Sequence, residues 1–261
     1  MRFRHRTQLI VAKFVVVALP ISFLLIPASA AQAEVPTCGT ASNWFDGYFR
    51  SYSTGAAEGA NASIITQYGA VCDTNTSQNN FGAAWAMIAG SAGSDGWVQS
   101  GFIRWYNHVT VFFSQISRYS NPNNGGQFDT RYGMSGLTYG SANHYYEKFD
   151  TSCACLRSSV NSTLYLSSTF SPYTAWTYPF SPQFFGETAY RQSDMPGNAS
   201  SPTSFSKLQY QNSSDNWVNF GCNVLTKQND LIGYNRSDGY SWYDQITNCP
   251  DFNIYTAPAG G

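Results

Sequence analysis

Two polar side chains stand where strand-forming aromatic sequence would be expected to exclude them. Gln99 lies in GWVQSGF and Glu187 in QFFGETAY. A buried amide must find hydrogen-bond partners or be left at a cost, so Gln99 is a place to look for chemistry. A carboxyl with apolar neighbours and no adjacent base has its charged form disfavoured by desolvation. Such a group suits general acid/base work in acid. Side chains alternate along a strand, so Gln99 shares a face with Trp97, Gly101, Ile103 and Trp105, and Glu187 shares one with Phe185 and Ala189. The plainer reading of Glu187 is a solvent-facing acid. The other glutamates after residue 33 are poorer candidates. Glu34 is terminal, Glu58 lies among small residues and Glu147 follows two tyrosines beside Lys148.

Other chemistries find little support. GxSxG does not occur, the available bases are His108 and His144, and no phosphate loop or dinucleotide fingerprint is present. Glycosidases of the sandwich type place two carboxylates on one strand face. Glu147 and Asp150 are three residues apart and should face opposite ways. No CxxC pair exists and histidines are scarce, so neither a metal nor a cofactor is expected.

The elements that must position these residues read as strands. Gln99 belongs to a hairpin of Ala84–Ile88 and Trp97–Trp105 around the Gly/Ser/Asp turn Ala89–Gly96. Ala60–Cys72, Val109–Arg118, Gln183–Arg191 and Phe205–Gln211 are further strands, with Ile65 and Val71 as core residues. Asn143–Phe149, Cys153–Val160 and Ser162–Phe170 form a meander, with Asn161 at its second turn. Cys38–Tyr52 reads as an edge strand or an extended lead-in. Asp73–Asn80, Tyr119–Gln127, Ser171–Pro182 and Ser193–Ser204 read as loops, Phe128–Ser141 is ambiguous, and the last ~40 residues look loop-rich. No 3.6-residue period is sustained. The chain is expected to be all-β, a sandwich or a barrel.

Residues 1–33 read as a signal peptide. Arg2, Arg4, Arg6 and Lys13 precede an apolar run, Phe14 to Ile26, and Ala28-Ser29-Ala30 and Ala31-Gln32-Ala33 both fit the cleavage rule. Residues 34–261 then form one secreted domain, a monomer with no membrane span. Removing the four basic residues leaves 10 basic against 15 acidic, a net charge of −5. That argues against nucleic acid, whose phosphates need a basic surface. The partner expected is an extracellular polypeptide or polysaccharide. Cys38, Cys72, Cys153, Cys155, Cys222 and Cys249 are an even set suited to disulfides. Cys153 and Cys155 are each expected to reach a different partner, and Cys222–Cys249 is the bridge expected near the end.

WAMIAGSAGSDGWVQSGF resembles the region around the catalytic glutamine of the glutamic peptidases, or eqolisins. In that family a tryptophan-led strand and a Gly/Asp turn precede a glutamine followed by a small residue and glycine, here Trp85, Gly90 and Gln99-Ser100-Gly101. GETAYRQSDMPG followed by FSKLQY looks like the family's glutamate strand, loop and final strand, with Glu187 as the glutamate. The match spans Trp85–Gln115 and Gln183–Gln211. Where the family's next strand carries an acid amid its aromatics, this chain has Gln115. The resemblance implies a concanavalin-like sandwich of two curved antiparallel sheets with its groove on the concave face. It implies acid endopeptidase chemistry, with Glu187 as general base and acid on a water. Gln99 would position that water and donate to the oxyanion. The alternative is a non-catalytic module binding polysaccharide or peptide in the same groove. Trp97, Trp105, Trp176 and Tyr190 are candidate substrate-binding residues, with Trp217 and Trp242 as further stacking candidates.

Overall fold

A computed structural model describes residues 45–51, 57–72, 80–92, 95–105, 110–119, 128–133, 137–190, 193–222, 224–228 and 239–259. The signal segment, Cys38 and most of Asp73–Asn80 and Tyr119–Gln127 lie outside them. The described chain is a sandwich of two sheets. The first sheet runs in the order β14 (Thr226–Gln228), β1 (Phe45–Ser51), β10 (Ser181–Thr188), β3 (Phe81–Ala89), β4 (Asp95–Trp105), β5 (Thr110–Tyr119), β6 (Phe128–Gly133). The second runs β15 (Tyr240–Asn248), β16 (Asp251–Pro258), β11 (Gly197–Asn198), β12 (Ser201–Asn212), β2 (Ala57–Ile65), β7 (Ala142–Asp150), β8 (Cys155–Val160), β9 (Thr163–Ser167). A short β13 (Trp217–Asn219) pairs β12. All the ladders are antiparallel except the single β11–β16 bridge.

The expected hairpin is β3–β4, and the expected meander is β7–β8–β9. The chain's end departs from expectation. Instead of a loop-rich tail it forms the β15–β16 hairpin, which pairs with β12. Alternation there survives on only one of the two strands. Phe252 and Ile254 of β16 are buried, whereas most of β15 after Trp242 is exposed, so polar side chains hide the strand in the sequence.

Alternation divides β4 between two apolar layers. Val98 and Phe102 point inward with Ala84, Ile88, Phe112, Phe184 and Leu156, forming the core between the sheets. Ile103 points outward with Trp85, Phe113 and Phe185 in a second cluster on the outer face of the first sheet. A strand covered on both faces reads as a near-continuous apolar run, which is why this hairpin dominates the sequence. Gly101 is set by close approach. A Cβ there would lie 1.8 Å from the Ala84 carbonyl oxygen and 2.8 Å from Cε3 of Trp85. Gly101→Ala is expected to cost about 1–3 kcal/mol by forcing the β3–β4 ladder apart. A chemical-denaturation midpoint equal to wild type would contradict it.

Polar groups also cross the core. Ser100 and Ser114 are cross-strand partners in the first sheet, as are Glu147 and Ser158 in the second. The Ser114 and Ser158 hydroxyls meet at 2.5 Å, and Ser100 donates to Glu147 Oε1. Glu147 is fully buried, and burial pushes its carboxyl up to about 8. The Ser100 and Ser158 hydroxyls favour the charged form without offsetting that.

The cysteines depart from expectation. Cys153 and Cys155 are bonded to each other. The Thr151–Ala154 turn between β7 and β8 brings these two residues to a Cα separation of 5.1 Å, within the range one bridge spans. Cys72 is disulfide-bonded. The expected Cys222–Cys249 bridge is not formed; each sulfur instead lies against the other residue's carbonyl oxygen, at 3.3 and 3.0 Å.

Candidate functional site

The ladders place Gln99 by counting. Gln99 of β4 stands opposite Met87 of β3 on one side and Gln115 of β5 on the other. Met87 in turn stands opposite Gln183 of β10. Gln183, Met87, Gln99 and Gln115 therefore form one row across four strands, on the outer face of the first sheet. Gln99 is 7% exposed and its Nε2 donates to Gln115 Oε1 at 3.2 Å. Gln183, Met87 and Gln115 are half-buried, as is Trp97 in the next row. The row carries three amides and no carboxylate.

Glu187 lies on the same face, but not in this row. It stands opposite Ala83, which stands opposite Ile103. That is four residues along the strand from Gln183 and two strands across from β4. At ordinary strand spacings this is roughly 17 Å between the Gln99 and Glu187 Cα atoms. Glu187 is 9% exposed, and Trp85 Nε1 donates to its Oε2 at 2.7 Å. The same indole packs against Phe113 with ring centroids 5.1 Å apart. The carboxylate thus borders the second apolar cluster, and the amide row lies at the more accessible end of the face.

The aromatic candidates separate. Trp97 flanks the amide row, opposite Ala89 and Ser117. Trp105 packs edge-on against Phe81 at 5.9 Å, at the border of the second cluster. Tyr190 is buried in that cluster. Trp176 is not a groove residue. It is buried in the core between the sheets, edge-on to Phe180 and Phe170, and its Nε1 donates to the Arg118 carbonyl at 2.9 Å. The prolines of Ser171–Pro182 shape a fold-back with a one-turn helix, Pro172–Ala175, which carries the indole inward. Trp242 is fully buried and donates to the Ser193 carbonyl at 3.1 Å. Glu147 and Asp150 face opposite ways, as their spacing requires: Glu147 is inside, and Asp150 on the outer face pairs Arg157 at 2.8 Å.

Sequence reasoning passed over Gln183. The signal was present, since alternation in QFFGE puts Gln183 and Glu187 on one face. Which of them faces Gln99 is a matter of ladder register. Among the described residues, no three His, Cys, Asp or Glu side chains converge as a metal site would require, and no helix is long and apolar enough to cross a membrane.

No protein-family model matches the sequence, and no curated protein is similar to it. Solved structures are. Scytalido-glutamic peptidase with a peptide-based transition-state analog superposes at a TM-score of 0.52, with 11% identity, over 82% of this chain and 97% of that one. SCP-B, a member of the eqolisin family in complex with the tripeptide Ala-Ile-His, superposes at 0.50, with 11% identity and the same coverage. The fold of this chain is the eqolisin β-sandwich.

Proposed function

We propose that the amide row binds an extended polypeptide outside the cell without cleaving it. The observation that carries this reading is that β10 presents Gln183, not an acid, in the row of Gln99. General acid/base cleavage needs a carboxyl or another titratable group within hydrogen-bond reach of the reacting water. Amides do not titrate, but each can donate and accept, which matches the alternating groups of a peptide backbone. Met87 and Trp97 supply apolar contact beside the amides. The two peptidases of the same fold hold a peptide-based analog and a tripeptide, which makes an extended peptide the natural ligand class to test.

Acid peptidase action by Glu187 and Gln99 is the second reading. It is favoured by their common face and by the shared fold. One experiment separates the two. Unfolded casein is incubated at about pH 2–5 with wild type, Glu187→Gln and Gln183→Glu, and binding of the unfolded chain is measured in parallel. We expect binding without cleavage by wild type and Glu187→Gln. Gln99→Ala should weaken binding about tenfold, the scale of one or two hydrogen bonds. Gln183→Glu, which puts a carboxyl in the row, is the variant in which slow cleavage should appear. Cleavage by wild type that Glu187→Gln abolishes would establish the peptidase instead.

A further inference from the structure

The second sheet carries a groove of about 530 Å³ on its own outer face, on the opposite side of the molecule from the amide row. Two adjacent rows of side chains build it. In one, Trp217 of β13 stands opposite Gln211 of β12, then Gly59, Lys148 and Arg157 follow on β2, β7 and β8. In the other, Asn61, Tyr146 and Ser159 follow one another on the same three strands. At Gly59 the floor between the indole and Lys148 is closely packed, with Gln211 Cβ 2.9 Å from where a Cβ would stand. A Cβ there would lie 2.5 Å from the Glu147 carbonyl oxygen. Tyr146 holds the indole edge-on at 6.5 Å.

Two cations face one acid here. Asp150 takes Arg157 Nη1 at 2.8 Å, while Lys148 Nζ is 3.9 Å from the same carboxylate and about a third exposed. Lys148 is therefore only loosely held. Downstream of residue 33 acidic residues outnumber basic ones, so a groove with an excess of cations stands out. Such a patch attracts anions and orients them. A tryptophan whose orientation is fixed by a neighbouring ring offers a flat apolar platform. Asn61 and Ser159 offer the amide and hydroxyl that ring hydroxyls need. The groove lies on a sheet face rather than along an edge, so its backbone groups are already used in the ladders. Strand addition at an edge, one mode by which peptides bind sheets, is therefore unavailable here.

We infer that this groove binds an acidic polysaccharide, its sugar rings stacked on Trp217 and its carboxylates set against Lys148 and Arg157. The test is calorimetric titration of the full chain with polygalacturonate, with dextran and poly-glutamate as the neutral and peptidic comparators. Polygalacturonate should bind, and dextran and poly-glutamate should bind at least tenfold more weakly, a difference of about 1.4 kcal/mol or more. Trp217→Ala and Lys148→Gln should each weaken binding about tenfold with an unchanged melting temperature, while Gln99→Ala leaves it as in wild type. If Trp217→Ala melts lower, Trp217→Phe, which keeps a ring, is used in its place. Binding of poly-glutamate as tight as that of polygalacturonate would mean that the groove reads charge alone, and would overturn the assignment to sugar. So would the absence of polygalacturonate binding, or binding that neither substitution alters. None of these outcomes bears on the amide row, which lies on the other sheet.

Discussion

Wild-type protein is expected to lose stability as the pH rises from about 4.5 to about 8, and Glu147→Gln to stay nearly level across that window. The sign follows from proton counting. An unfolded glutamate releases its proton near 4.5, whereas the buried carboxyl of the folded chain keeps it to about 8. Between those values the unfolded state binds fewer protons, so raising the pH favours unfolding. The stabilisation is complete below the lower value and gone above the upper one. A slope of about 1.4 kcal/mol per pH unit makes the total several kcal/mol. That is a large share of the roughly 5–15 kcal/mol that holds a domain together. Asp150 acts oppositely and lower down. The Ser152 hydroxyl, and then Arg157 and Lys148, hold it below its ordinary value, so its contribution is lost as the pH falls below that range. Urea midpoints measured across this range for both proteins would check the expectation. Parallel curves for wild type and variant would show that Glu147 does not carry the proton.

Trp85→Ala should cost about 3–5 kcal/mol, the scale for deleting a buried large aromatic. The indole is 1% exposed, packs on Phe113 and lies over Gly101. Its N–H also holds Glu187 at 2.7 Å. Trp85→Phe keeps a ring and removes that donor, so it should cost about 1–3 kcal/mol. Glu187→Gln leaves an acceptor for the indole and should cost less than either. Denaturation midpoints should therefore rank the three variants in that order. If Glu187→Gln proved as damaging as Trp85→Ala, the charge of Glu187 would be what holds this face, rather than the packing of the indole.

Much of the architecture was legible in the sequence, for a local reason. Period-two alternation with Gly, Asn and Pro at the breaks marked the Trp85–Trp105 hairpin, the Asn143–Phe170 meander and the all-β class, and the aromatic pattern around Gln99 pointed to the eqolisin fold. Alternation also put Gln99 on one face with Trp97 and Ile103, and separated Glu147 from Asp150. These are properties of a single strand, set by the pleat. Alternation could not say which residue of β10 meets Gln99, because that depends on how three strands are registered side by side. A shift of four residues leaves every side chain on its own face, so Gln183 and Glu187 read alike until the ladders are counted. Nor could alternation place Trp176 in the core, join Cys153 to Cys155, or gather Trp217 and Lys148 around Gly59. The first and the last depend on chain segments brought together by the packing of one strand or sheet on another, and the disulfide on the turn between β7 and β8. The sequence by itself determined the strands that alternate clearly and the two faces of each. Only the tertiary structure decided which polar groups share a row, because register is fixed by contacts between strands.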